Sequence, residues 1–253
     1  MSKNIFKRGL KSLLNLGGYD VVNKKQFGNS SLADIKTILQ PNSASILFDI
    51  GANIGQTAVE FADYFPESLT YSFEPDPGAF SKLTEQVKKY KRTKTYNIGF
   101  GHRAEKIQMN INTTSGGNSI LPMSKKVNQF AEGDWAKKID QREVEITTLN
   151  SFCDINNIKH IDLIKIDTQG YEMKIIEGGD KVITPSFTKA VFIEVLFVEL
   201  YQQQAYFQDI YKILTERGFR LVGIYNSFRK IEPPHFLLWC DALFVSESIK
   251  VRV

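Results

Sequence analysis

The chain has little cysteine: Cys153 and Cys240 are the only two in 253 residues. Two thiols cannot staple a small secreted scaffold, so a disulfide framework is excluded and a reducing, cytoplasmic setting is expected. Long apolar runs are missing as well. The richest, residues 191–200, is broken by Glu194 and Glu199. It falls short of the roughly 18 apolar residues that span a bilayer. The start does not read as a secretory signal, because Lys7, Arg8 and Lys11 sit among its apolar residues. Histidine is sparse, and His102, His160 and His235 share no spacing that suggests a metal site or a catalytic triad. The sequence shows no internal repeat and no low-complexity tract. With 42% apolar and 24% charged residues, its composition is that of an ordinary globular domain, neither collagen-like nor disordered.

The net charge of +4 is unevenly placed. Residues 1–25 hold six basic side chains against Asp20, which leaves the rest of the chain near neutral. A neutral body argues against a nucleic-acid groove across the domain. Residues 5–16 space their apolar side chains as one face of a helix with bases opposite. That stripe either docks on the main domain or a second subunit, or lies on anionic lipid as a peripheral membrane contact. Residues 29–40 predict a second helix, stopped by Pro41. Residues 1–44 thus form a helical appendage, and 45–253 form one domain.

From residue 45 onward the pattern alternates. Strands are expected at 45–50, 69–73, 94–98, 161–166, 190–195, 219–225 and 242–245. Helices are expected from 55 or 56 to 64, 78–90, 171–183 and 207–217. Such alternation predicts a parallel sheet covered by helices on both faces. Between about 99 and 158 it lapses into an insertion, with period-two strands at 106–112 and 143–147 and a helix starting near Ser151.

In sheets of this kind ligands bind beyond the carboxyl ends of the strands. The first strand ends in Asp49-Ile50-Gly51-Ala52-Asn53-Ile54-Gly55-Gln56-Thr57. Gly51 and Gly55 suit a tight turn into a helix, and the helix start at Gln56 and Thr57 offers free N–H groups. Asn53 stands where a dinucleotide fingerprint needs its middle glycine, and Asp49 repels phosphate. The loop therefore suits a cationic adenosyl ligand, S-adenosyl-L-methionine, better than NAD. Glu74 ends the second strand 25 residues after Asp49, the spacing at which a carboxylate accepts both ribose hydroxyls. Asn97, at the third strand end, is either an adenine contact or a turn residue.

The fourth strand delivers Asp167, followed by Thr168-Gln169-Gly170-Tyr171-Glu172. Methyl transfer to a hydroxyl needs alignment and a proton acceptor. Asp167 is the first choice for that base, with Glu194 on the same rim. The two carboxylates could alternatively hold Mg²⁺, but no dense set of oxygen ligands accompanies them and no metal is expected. The stretch Tyr201, Tyr206, Phe207 and Tyr211 reads mainly as helix packing, with one or two rings available to floor a sugar.

The runs 48–55, 73–75 and 164–172, with 144–149, 218–219 and 241–245, resemble the FkbM family of S-adenosylmethionine-dependent methyltransferases. The likeness covers about residues 45–246. It implies the class I methyltransferase fold, a Rossmann-like α/β seven-stranded sheet, mostly parallel, with an antiparallel last strand. It also implies O-methylation of a hydroxyl on a sugar, glycan or related natural product. The chain departs from the family at Gln169, where an acidic residue is common, and at Asn150, where Asp is common. The alternatives from the same architecture are an NAD-dependent oxidoreductase and a non-catalytic binding module.

Overall fold

The computed structural model describes residues 26–39, 45–130 and 137–249. The amphipathic segment 5–16, its lipid or subunit contact, and the stop at Pro41 lie outside the described residues. The elements in chain order are α1 (Ser31–Leu39), β1 (Ile46–Ile50), α2 (Gln56–Tyr64), β2 (Leu69–Phe73), α3 (Pro77–Val87), β3 (Thr93–Tyr96), β4 (Gly99–Phe100) and β5 (Glu105–Asn112). They continue with β6 (Lys138–Thr147), α4 (Leu149–Ile155), β7 (Ile161–Ile166), α5 (Glu172–Gly178), β8 (Thr188–Leu196), α6 (Phe207–Glu216), β9 (Phe219–Arg229) and β10 (Leu237–Ser246).

Seven strands form one sheet in the order β3-β2-β1-β7-β8-β10-β9. The pairs from β3 to β8 are parallel, while β10 runs antiparallel to both β8 and β9. The chain order reverses between β1 and β7, which creates the crevice where an open α/β sheet binds ligands. The insertion supplies a second sheet, β4-β6-β5, in which β5 and β6 pair antiparallel.

Both faces of the large sheet are covered, because the inward residues of β1 and β7 are apolar on either side. Phe48, Ile50, Ile164 and Ile166 pack with Phe152 and Cys153 of α4, Ile175 and Ile176 of α5, and Ile210 and Leu214 of α6. Leu47 and Leu163 face the other way and meet Ile35 and Leu39 of α1 and Phe61 of α2. The turn residues follow local chemistry. Asp76 caps α3 by accepting from the Ala79 N–H at 3.0 Å, and Pro77 fills the first helical position. Helix α5 stops at Gly178, earlier than its apolar pattern predicts. A side chain at Gly178 would collide with the backbone of Gly101, so the insertion's first strand closes over the helix end.

Helix α1 is fixed by one buried polar contact. The Tyr225 hydroxyl of β9 donates to Asp34 Oδ2 at 2.7 Å, and the Gly28 N–H donates to the same oxygen at 2.7 Å. Replacing Tyr225 by Phe leaves the ring packing but withdraws one donor from a buried carboxylate. Urea denaturation of the Tyr225→Phe variant should show a loss of about 1–3 kcal/mol.

Candidate active site

Strand β7 carries two buried polar groups among its apolar residues, Asp162 and Lys165. They serve opposite ends of the sheet. Asp162 accepts from the Ile46 N–H at 2.8 Å and pairs with Lys189 at 2.6 Å, which ties β7 to β1 and β8 away from the crevice. Lys165 stands in register with Asp49 on β1. Its Nζ lies 3.1 Å from Asp167 Oδ2 and 3.7 Å from Asp49 Oδ1. Burial works against the ammonium, but Asp167 and Asp49 outweigh it and hold Lys165 above the usual lysine range. Asp49 itself is fully buried and neither of its oxygens has a hydrogen-bond partner. Burial pushes its carboxyl up to about 6, with Lys165 the main opposing influence.

The turn after β1 is held tightly against this pair. The Asp167 N–H donates to the Ile50 carbonyl at 3.0 Å, and the Gly51 and Ala52 N–H groups both donate to the Phe73 carbonyl, at 3.0 and 2.9 Å. Gly51 has φ +79°, and a Cβ there would run into the Asp167 carbonyl oxygen. Gly55 takes φ +106° at the start of α2, another conformation open to glycine. The loop after β7 is organised from within by Glu172. Its Oε1 accepts from the N–H groups of Thr168 and Gly170 and from the Thr168 hydroxyl, at 2.8, 3.1 and 3.0 Å.

Above this base lie two clefts. The first is a narrow trough between β1, β2, β4 and the loop after β7, lined by Gly51, Asn53, Glu74, Phe100, Asp167, Gln169 and Tyr171 among others. Glu74 ends β2 and is pinned by amides: Oε2 accepts from the Asn53 N–H and Oε1 from the Asp76 N–H, both at 2.8 Å. Burial pushes Glu74 up to about 7, against the pull of those two amides. Asn53 lines the same trough with a buried side-chain oxygen that has no hydrogen-bond partner. The second cleft, about 510 Å³, shares Gly116, Asp167 and Gln169 with the first and runs on past Glu194, Leu196 and Leu200 to Phe228 and Trp239.

At the junction Gln169 bridges the two candidate bases. Its Nε2 donates to Asp167 Oδ1 at 2.8 Å and to Glu194 Oε2 at 3.1 Å. The buried Tyr201 hydroxyl donates to Gln169 Oε1 at 2.7 Å, which fixes the amide's orientation, and Ser119 donates to its backbone carbonyl. Burial first, then the neighbouring Asp167, holds the Glu194 carboxyl well above its ordinary range.

The structure thus brings Gly51, Asn53, Glu74, Asp167 and Glu194 to the two clefts. Asp49 lies beneath the trough instead of lining it, and Gly55, Gln56 and Thr57 also stand outside its lining. Asn97 takes the turn role, since its amide donates to the carbonyls of Glu74 and Pro75 at 2.9 and 3.0 Å. Asn150 likewise serves packing, donating to Asp180 and accepting from the Lys181 N–H. Two further residues enter the site: Lys165, a lone cation inside a buried strand, and Tyr201, from the stretch whose rings the sequence assigns mainly to packing with one or two available to floor a sugar.

In the trough the amide-pinned Glu74 and the unpartnered Asn53 oxygen offer acceptors, chemistry suited to hydroxyls and an ammonium and unsuited to a diphosphate. Among the described residues no group of three or more His, Cys, Asp or Glu side chains is arranged to hold a metal ion. No described helix is long and apolar enough to cross a membrane.

Strand order and the antiparallel last strand define the class I, Rossmann-like methyltransferase fold. The methyltransferase FkbM domain model matches residues 49–221, and the chain belongs to that family. Its methyl donor is S-adenosyl-L-methionine. The chain is 28% identical over 182 residues to the 2-O-methyltransferase NoeI of Sinorhizobium fredii (strain NBRC 101917 / NGR234), a match covering 70% of this chain and 73% of that protein. It is 25% identical over 185 residues to Methyltransferase 1 of Beauveria bassiana (strain ARSEF 2860), covering 69% and 72%. Among solved structures, an rRNA methylase from Streptococcus thermophilus superposes with a TM-score of 0.47 at 11% identity, over 84% of this chain and 93% of that one.

The raised carboxyls give a pH signature. A carboxyl whose folded pKa lies above its unfolded value contributes stability that is complete below the unfolded value. That contribution disappears as pH rises through the folded value. For Asp49 and Glu74 the loss therefore falls between about pH 4 and pH 7. Ligand acceptance runs the other way, because ionised Glu74 is the stronger acceptor. In thermal-shift titrations the rise caused by S-adenosylhomocysteine should be larger at pH 8 than at pH 5.5. A flat or inverted profile contradicts the assignment.

Proposed function

We propose that the protein O-methylates a hydroxyl of a sugar, glycan or related small molecule. The observation that carries this reading is the junction of the two clefts at Asp167 and Gln169, with Glu194 opening into the second. An acceptor in the wide cleft brings its hydroxyl to that junction. The match to a 2-O-methyltransferase supports transfer to oxygen.

In this reading Glu74 accepts hydrogen bonds from the ribose hydroxyls of the donor, and Asn53 offers its free oxygen to the donor's ammonium. Gly51 and Gly55 shape the turn, and Asp49 with Lys165 holds it from below. When bound, S-adenosyl-L-methionine would supply an electrophilic methyl group on a sulfonium whose methyl–sulfur bond breaks on transfer, leaving S-adenosylhomocysteine. Glu194 takes the proton from the acceptor hydroxyl as the new carbon–oxygen bond forms. Glu194 lines the wide cleft where the acceptor sits, and Gln169 engages it through Oε2. Asp167 has both oxygens engaged, by Lys165 and by Gln169, and orients the hydroxyl.

Two measurements check these roles. Glu74→Ala should weaken S-adenosylhomocysteine binding, read by calorimetry, by about 1.5–3 kcal/mol, the range for a hydrogen bond to a charged group. Unchanged affinity would remove Glu74 from the site. Glu194→Gln should lower methyl transfer to a sugar acceptor by about 10²–10⁴-fold while leaving S-adenosylhomocysteine affinity unchanged. Wild-type turnover in that variant rules Glu194 out as the base.

A further inference from the structure

The wide cleft has ends of opposite sign. At the junction stand Asp167 and Glu194. At the far end, on the β9–β10 hairpin, stand Arg229 and Lys230, with one carboxylate, Glu232, in the same stretch of lining. Between the two ends the wall is apolar and aromatic: Phe130, Leu196, Leu200, Phe228, Ile231 and Trp239. Phe228 and Trp239 are stacked at 4.2 Å with their planes 12° apart, and Phe228 is 45% exposed. Among the described residues no ion pair involves Arg229 or Lys230. Tyr201, Tyr206, Phe207 and Tyr211, which the sequence assigns mainly to packing with one or two rings available to floor a sugar, do not line this cleft.

We infer that the acceptor is an anionic sugar, held with its saturated ring on the Phe228–Trp239 stack and its anionic group on Arg229 and Lys230. This rests on the O-methylation reading for the identity of the cleft. The polarity dictates the orientation. An anion placed at the junction would face two carboxylates, whereas a neutral hydroxyl meets a hydrogen-bonded proton acceptor there. At the hairpin the anion meets two cations on a half-apolar surface, where charge-assisted hydrogen bonds are strong. The stacked rings present a flat apolar face to the C–H groups of a pyranose. The volume of about 510 Å³ lies within the range of small-molecule sites.

Calorimetry on the full chain loaded with S-adenosylhomocysteine tests this with three probes: glucose 1-phosphate, glucuronate and neutral methyl glucoside. The phosphate, the carboxylate or both should bind at least about tenfold tighter than the neutral glycoside. Added salt should erode that advantage, as for a partly exposed charge contact. The double substitution Arg229→Gln and Lys230→Gln should erase it. Equal affinity of all three probes, no binding of any, or a preference insensitive to salt in the wild type overturns the inference. The wild-type salt series stands even if the double variant does not fold. Mass spectrometry separates the two readings. Preferential binding of the anionic sugars with no methyl group transferred to them removes the O-methylation reading and leaves the cleft a binding site for anionic sugars, whereas methyl transfer without that preference removes the inference and leaves the reading.

Discussion

A buried ammonium between two carboxylates is the contact on which the site depends. Lys165 lies on β7, beside β1, at the point where the strand order reverses. Taking a charge into the sheet costs several kcal/mol unless it is paired. Asp49 and Asp167 are the groups that pair it. The reverse also holds: without Lys165, Asp49 would be a fully buried carboxylate with no hydrogen-bond partner and no cation. The turn after β1 and the loop after β7 meet over this pair, with Gly51 so close to the Asp167 carbonyl that no side chain fits.

From this base the rim acquires its charge. Glu74, Asp167, Glu172 and Glu194 crowd the same end of the sheet, and amides do most of the work of holding them apart. Backbone N–H groups hold Glu74 and Glu172. The Gln169 side chain bridges Asp167 and Glu194 without adding a third carboxylate at the junction. Tyr201 in turn decides which end of that amide faces the carboxylates. The result is a trough lined by carboxylate and amide oxygens and a hydrogen-bonded carboxylate pair where the trough meets the wider cleft.

Much of this was legible in the sequence because the fold repeats a short-range rule: strand, turn, functional residue. Asp49, Glu74 and Asp167 each end a strand whose apolar run sets its limits, and the Gly51 turn marks the first crossing. The strands at 69–73 and 161–166 match the observed elements to the residue, and the helix expected from 55 or 56 to 64 is observed at 56–64. What escaped depends on long-range contacts. The Tyr201–Gln169 hydrogen bond joins residues 32 apart. The aromatic wall comes from the extension of β9 and β10 beyond the expected ends at 225 and 242, which periodicity could not show. Lys165 was masked by the apolar neighbours that bury it. Asn97 fitted either role, and only the carbonyls of Glu74 and Pro75 decide between them.

The most direct measurement is a carbon-detected NMR titration of the Asp49 carboxyl in the wild type and in Lys165→Met, which keeps an unbranched stem and removes the charge. If Lys165 sustains the ionised rim, the wild-type midpoint lies near pH 6 and moves upward in the variant. An Asp49 midpoint that is the same in both proteins would contradict the account.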